Sequence, residues 1–293
     1  MNVPNFITKL YNLETLKLPE CVEKLPKDFH NLVSLRHFYL EDRDQNRKLM
    51  PMKIGQLTSL QTLPFFVVGE KSGHKIEELG SLSKLRGRLQ VYNLQNMKDK
   101  DEAEKAKLLE KSDIQELRLR WDKDLGESNN NHEAVLEGLK PHRNVKGLIL
   151  ENFGGRRLVS WMSRDARLLQ NLVKIEFKDC MLCEQVPALG HLPHLVTIRM
   201  DGLYNLKRIG FELYGLDERI IGDCSSSGGA VTIVFPALRI FNLNNMPQLE
   251  EWSDVSSLPH VAASRMEFFP RLQELHIWKC PKLITIPVYV TKS

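Results

Sequence analysis

Apolar residues recur along this chain at fixed offsets. Leu10, Leu13, Leu16, Leu18 and Cys21 follow the spacing L-x-x-L-x-x-L-x-L-x-x-C. Leu169, Leu172, Ile175, Phe177 and Cys180 repeat it, as do Leu192, Leu195, Ile198, Met200 and Leu203. Phe235, Leu238, Phe241, Leu243 and Met246 form a fourth copy, and Phe269, Leu272, Leu275, Ile277 and Cys280 a fifth. Partial copies centre on Phe38 and Leu40, Leu63, Leu89 and Val91, Leu117 and Leu119, and Leu148 and Leu150. The inner L-x-L alternates with period two, which predicts a short strand with one buried face. Ten strand centres result, with a mean separation of about 29 residues.

Repetition on this scale predicts an α/β fold, a leucine-rich-repeat solenoid or horseshoe. It has about ten irregular repeats over residues 1–293, with parallel strands on the concave face. One repeat cannot bury its own leucines, whereas stacked neighbours can, at about 1.5–3 kcal/mol for each buried side chain. Leucine supplies 45 of the 293 residues, and the pattern places them. An asparagine ladder at the last pattern position is absent, since Cys21, Leu94, Phe153, Cys180, Leu203, Met246 and Cys280 stand there. The strand-end backbone groups must therefore find other partners. The glycine-, serine- and asparagine-rich stretches at 126–132 and 222–230 read as irregular loops. Residues 98–111 read as a helix on the convex side, capped by Asp99 or Asp101, with Ala103, Ala106 and Leu109, and in some registers Leu108, as its apolar stripe.

Composition narrows the function classes. The net charge is +4, from 41 Lys and Arg against 37 Asp and Glu, too balanced for a nucleic-acid surface. No apolar run approaches the ~20 residues of a membrane span. The sequence opens without a secretory signal, has no N-x-S/T sequon and carries five cysteines, an odd number. These features point to a reducing interior, cytoplasmic or nuclear. No metal or cofactor is expected. Cys180 and Cys183 form a C-x-x-C, yet Cys180 shares its repeat position with Cys21 and Cys280, so buried packing explains it better than redox chemistry. Gly69-Glu-Lys-Ser72 lacks the spacing and the first glycine of a phosphate-binding loop. The reading is of a protein that is not an enzyme.

Several longer phrases are more specific. Residues 186–215 (VPALGHLPHLVTIRMDGLYNLKRIGFELYG), 235–252 (FPALRIFNLNNMPQLEEW) and 269–283 (FPRLQELHIWKCPKL) resemble repeats of plant intracellular immune receptors. These are the nucleotide-binding leucine-rich-repeat disease-resistance proteins, in particular the coiled-coil class. Residues 10–21 with 25–40, and 79–97 with the charged helix at 98–111 and residues 114–122, resemble further segments of the same class, so the likeness covers nearly the whole chain. It implies recognition of a pathogen effector or a guarded host protein. It also implies contact with the nucleotide-binding switch domain of the parent receptor, for which Lys17, His37 and Tyr39 are the candidates. That switch domain and its phosphate-binding loop are not in these residues, so nucleotide binding is not carried over.

The x positions of the strands are the expected contact surface. They include Lys17, His37, Tyr39, Arg88, Tyr92, Glu116, Arg118 and Arg120 in the first half. Lys174, Glu176, Lys178, Arg199, Asp201, Asn242, Glu274, His276 and Trp278 follow in the second. Gln90, Ile149 and Glu151 occupy equivalent positions. Tyr39, Tyr92, Arg118, Arg120, Arg199 and Trp278 are the types enriched in binding hot spots. Charge reversal at Arg118 and Arg120 is expected to weaken partner binding without unfolding. An alternative is another intracellular repeat adaptor, such as a ubiquitin-ligase substrate receptor. That class carries a short helical domain before its repeats, and here the repeats start by Leu10.

Overall fold

The computed structural model describes residues 1–123, 131–163, 168–215, 231–254 and 266–287. The loop positions 126–130 and 222–230 lie outside the described residues. Asn131 and His132 do not belong to a loop. They open a helix over His132–Gly138, and His132 is buried, stacked on Trp121 at 5.5 Å between ring centroids.

The chain divides into two compact units, Met1–Val145 and Lys146–Ser293. In the first, β1 (Thr15–Lys17) pairs in parallel with β2 (His37–Tyr39), with Leu16 opposite Phe38. Further along, β3 (Phe66–Val67), β4 (Gly87–Tyr92) and β5 (Ile114–Arg120) form a parallel sheet. Leu89 lies opposite Leu117 and Val91 opposite Leu119, so the inward residues of successive coils stack in rows. Leu16, Phe38, Leu89, Val91, Leu117 and Leu119 are all buried.

The second unit repeats the arrangement. β6 (Gly147–Glu151), β7 (Lys174–Lys178) and β8 (Thr197–Asp201) pair in parallel and in register. Four pairing strands lie between the main ones: β9 (Arg208–Ile209) and β10 (Thr232–Val234) before β11 (Ile240–Asn244), then β12 (Glu251–Trp252) and β13 (Met266–Phe268) before β14 (Glu274–Trp278). β11 joins the main sheet between β8 and β14, whereas β9 pairs with β12 and β10 with β13. Ile175, Phe177, Ile198, Met200, Phe241 and Leu243 face the core. Leu275 and Ile277 on β14 are half-buried.

A left-handed residue closes β4, β6, β7, β8, β11 and β14, though not β5. Asn93, Asn152, Asp179, Asn245 and Lys279 have φ between 53° and 58°, and Gly202 has φ 75°. Asn, Asp and Gly tolerate this region best. The missing asparagine ladder is thus replaced by a turn residue one position earlier. Its N–H carries the ladder onward: Asn152 donates to the Lys178 carbonyl at 2.9 Å, Asp179 to Asp201 at 2.8 Å, Gly202 to Asn244 at 3.1 Å and Asn245 to Trp278 at 3.0 Å.

On the other side of the coil, close backbone approach selects glycine. A Cβ on Gly190 would stand 2.4 Å from the Tyr214 carbonyl oxygen. In the following coils the corresponding N–H groups come from Phe235, donating to Gly190 O at 2.8 Å, and Phe269, donating to Val234 O at 3.1 Å. The two phenyl rings stack at 4.9 Å and 9°. Both phenylalanines hold φ near +55°, strain that their burial against one another offsets.

The 98–111 segment is a broken helix. An α-helix covers Lys100–Glu104, and Asp99 caps it by accepting the Glu102 N–H at 2.8 Å. The chain then passes through left-handed Lys107 into a 3-10 turn over Leu108–Glu110. That break shifts the phase, so Leu108 is buried and Leu109, expected on the apolar stripe, is 52% exposed.

The cysteines also depart from equivalence. Cys180 and Cys183 are buried, but Cys21 is exposed and Cys280 half-buried. Cys180 packs within the stack, where burial pushes its thiol pKa far up. Cys21 lies beyond a strand of only three residues. Leu10, counted as a core position, is 47% exposed.

Candidate protein-binding face

Parallel strands send alternate residues outward, so each unit presents a face built from the x positions. In the first unit, Lys17 lies opposite Tyr39 in register and places its ammonium 5.2 Å from the ring centroid. The His37 ring stacks on Tyr39 at 6.2 Å, and its Nδ1 lies 3.0 Å from Thr62 Oγ1. These side chains form one accessible cluster.

Arg88 and Glu116 sit opposite each other and form an ion pair at 2.8 Å. A register shift beside Gly87, whose φ is +77°, opens a cavity of about 730 Å³ between Thr62, Leu63, Pro64, Arg86, Arg88 and Gln115.

Tyr92 corrects the sequence reading. It is not an exposed contact residue but is 2% exposed, beneath the segment that follows β2. Its hydroxyl donates to Asp42 Oδ2 and lies 3.2 Å from Gln90 Oε1. The Arg47 guanidinium, from the short helix Asp44–Arg47, stands over the ring at 4.0 Å and pairs with Asp42 at 2.7 Å. Burial, then the hydrogen bond and charge of Asp42, push the Tyr92 pKa up to about 12. For Arg47 burial works downward, yet Asp42 prevails and raises it. Gln90 is buried as well and donates to the Pro64 carbonyl at 3.3 Å. Arg118 and Arg120 on β5 are half-buried, with Arg120 5.7 Å from the Tyr92 ring. The sequence gives no periodic signal for a loop folding over a strand face, although D-R-D-Q-N-R is a dense cluster of paired charges.

In the second unit, Glu176 is the centre of a charged ladder. It accepts Lys174 at 3.0 Å and Arg199 at 2.9 Å. Burial raises its pKa, but the two cations outweigh that and hold it below the ordinary range. Lys178 reaches Glu151 at 3.4 Å. Glu151 and Ile149, expected to face outward, are 5% and 3% exposed because β6 is buried on both faces. Asp201, Asn242 and Asn244 are half-buried, while Glu274, His276 and Trp278 are exposed. His276 Nε2 lies 3.2 Å from Glu274 Oε2.

The face carries contact chemistry: cations, carboxylates, amides and aromatic rings in fixed rows. Among the described residues no group of His, Cys, Asp and Glu could hold a metal ion, and no helix is long and apolar enough to cross a membrane.

Coils of one strand each, stacked in parallel over rows of leucine and its substitutes, define a leucine-rich-repeat protein. The family described as R13L1/DRL21 LRRs matches residues 76–203. Disease resistance RPP13-like protein 1 of Arabidopsis thaliana is 33% identical over 234 residues, 77% of this chain and 21% of that protein. Disease resistance protein RGA2 of Solanum bulbocastanum is 33% identical over 231 residues, 78% of this chain and 22% of that protein. A further Arabidopsis thaliana disease resistance protein is 31% identical over 289 residues, 96% of this chain and 19% of that protein. The chain is a leucine-rich-repeat chain, similar over most of its length to plant disease-resistance proteins. It spans about a fifth of the length of these relatives.

Proposed function

We propose that this chain is the recognition region of an intracellular plant immune receptor, acting in the cytoplasm or nucleus. Its outward strand residues bind a protein, either a pathogen effector or a guarded host protein. The observation that carries the reading is the division of labour along each strand. Inward positions hold near-equivalent apolar residues in coil after coil, while outward positions hold a varied and mostly polar or aromatic set. Such a face keeps its backbone and varies its contacts, which suits selection of one protein surface over another. It calls for binding and not for catalysis.

The test is affinity for a confirmed partner with Tyr39→Ala, Arg199→Ala and Trp278→Ala, each checked by circular dichroism. Loss of at least tenfold in one or more is expected, because such residues dominate interface energetics. Full affinity in all three folded variants overturns the reading.

The same proposal gives the cluster of Lys17, His37 and Tyr39 a second role, contact with the nucleotide-binding switch domain of the parent receptor and restraint of its activation. Co-expression of that domain in trans should recover a complex that Lys17→Glu weakens. No association with the unaltered chain overturns this role.

A further inference from the structure

We infer that the row Asp201, Asn244 and Trp278 is a seat for a guanidinium, an arginine side chain presented by the protein partner. The inference rests on the proposed reading of the strand face as a protein-binding surface and names the group it takes.

Three strands supply the row. Asp201 ends β8, Asn244 ends β11 and Trp278 ends β14, and the pairing register sets them side by side. Neighbouring strands lie about 4.8 Å apart, so Asp201 and Trp278 flank a gap of roughly 10 Å across Asn244. A planar cation fits that gap. Its edge can meet a carboxylate at about 2.8 Å, and its face can lie within about 6 Å of an indole. A compact ammonium makes only one of the two contacts well.

The two ends of the row have an unused capacity, and Asn244 between them is the spacer. The Asp201 carboxylate has no cation within ion-pair distance among the described residues. Its register neighbour Lys178 turns instead to Glu151, 3.4 Å away. The amide oxygen of Asn244 is buried and is not a contact atom of the seat. Trp278 is 67% exposed, whereas Trp121, Trp161 and Trp252 are at most 1% exposed. An exposed indole beside an unpaired carboxylate is complementary to a delocalised cation. The adjacent row differs, because Arg199 already holds Glu176.

The tryptophans provide the readout, since the chain has four and only this one is exposed. N-acetyl-arginine methylamide is titrated into the full chain with its indoles labelled with nitrogen-15, alongside the isosteric uncharged citrulline compound. The expected result is a saturable shift of the Trp278 indole signal with arginine and none with citrulline. Asp201→Asn should weaken the arginine response at least tenfold while the three buried indole signals stay in place, which reports an intact fold. No saturable shift, an equal response to citrulline, or an unchanged response in Asp201→Asn overturns the assignment. If partner binding still depends on Tyr39 or Arg199 in that case, the strand-face reading stands and only this row is misassigned.

Discussion

The Tyr92 hydroxyl donates to the carboxylate of Asp42, fifty residues earlier in the chain. This bond and the Arg47 guanidinium over the ring clamp the segment after β2 onto the face of β4. Tyr92 is therefore an internal fastener. Tyr92→Phe keeps the ring and its packing but removes the donor to a charged acceptor, a loss of about 1–3 kcal/mol. Chemical denaturation should show that loss, with partner affinity unchanged. A variant as stable as the parent would show that the clamp contributes nothing.

Gly190 tests the close approach between coils. Its N–H donates to Leu213 O at 2.9 Å, and its own carbonyl accepts from Phe235 at 2.8 Å. An added Cβ meets the backbone of Tyr214 at 2.4–2.7 Å, and backbone cannot swing aside as a side-chain tip can. Gly190→Ala should destabilise the second unit by about 1–3 kcal/mol. Thermal unfolding checks it, with Ala188→Gly, a change of similar size next to the contact, as the control.

Much of this architecture is legible in the sequence, because the L-x-L alternation depends on burial alone and burial repeats in every coil. The strands around Leu16, Phe38, Leu89, Leu117, Leu148, Ile175, Ile198, Phe241 and Leu275 fall where the pattern sets them. What escapes it depends on contacts between distant residues. Tyr92 occupies an outward position by period two, and only the Asp42–Arg47 segment lying across it makes it buried. Leu109 and Leu108 exchange roles because left-handed Lys107 breaks the helical phase, and no preference of Lys announces that turn. The left-handed turn residues could have been found: Asn93, Asn152, Asp179, Gly202 and Asn245 share one repeat position and one backbone preference.

The cysteines separate packing from sequence position. Cys21, Cys180 and Cys280 are equivalent in the repeat, yet only Cys180 is fully enclosed. Among the cysteines of the described residues, an iodoacetamide time course mapped by peptide should modify Cys21 first, Cys280 later, and Cys180 and Cys183 only on unfolding. Early modification of Cys180 would contradict its burial.

Glu176 offers an acid-side test. Its folded pKa is held below the ordinary 4.5 by Lys174 and Arg199, so the unfolded chain binds its proton first as pH falls. The stabilisation is complete above about pH 4.5 and is lost as pH drops through the folded value. Because both cations are partly exposed, the amount is at most about 1 kcal/mol. Glu176→Gln should lose that amount at pH 7 and converge on the parent as pH falls below the folded value. A stability gap that is constant with pH would mean the charge is not responsible.

Lys111 gives a test of the same slope on the alkaline side, from a charge that burial disfavours. It is 1% exposed, with its Nζ donating to the Leu82 carbonyl at 2.9 Å. Burial, only partly countered by Glu110, lowers its pKa from 10.5 to about 8. Between those two values the unfolded chain holds a proton that the folded chain has released. Stability attributable to this residue therefore rises with pH from about 8 to 10.5 and is level on either side. Tyr92 acts above that window: its raised pKa makes its contribution fall between about 10 and 12. Lys111→Met keeps the volume and the unbranched stem but cannot titrate. Denaturation of parent and variant at intervals from pH 7 to 10 should give curves that diverge, with the parent gaining on the variant above pH 8. Parallel curves would show that the Lys111 ammonium is as well solvated in the folded chain as in the unfolded one.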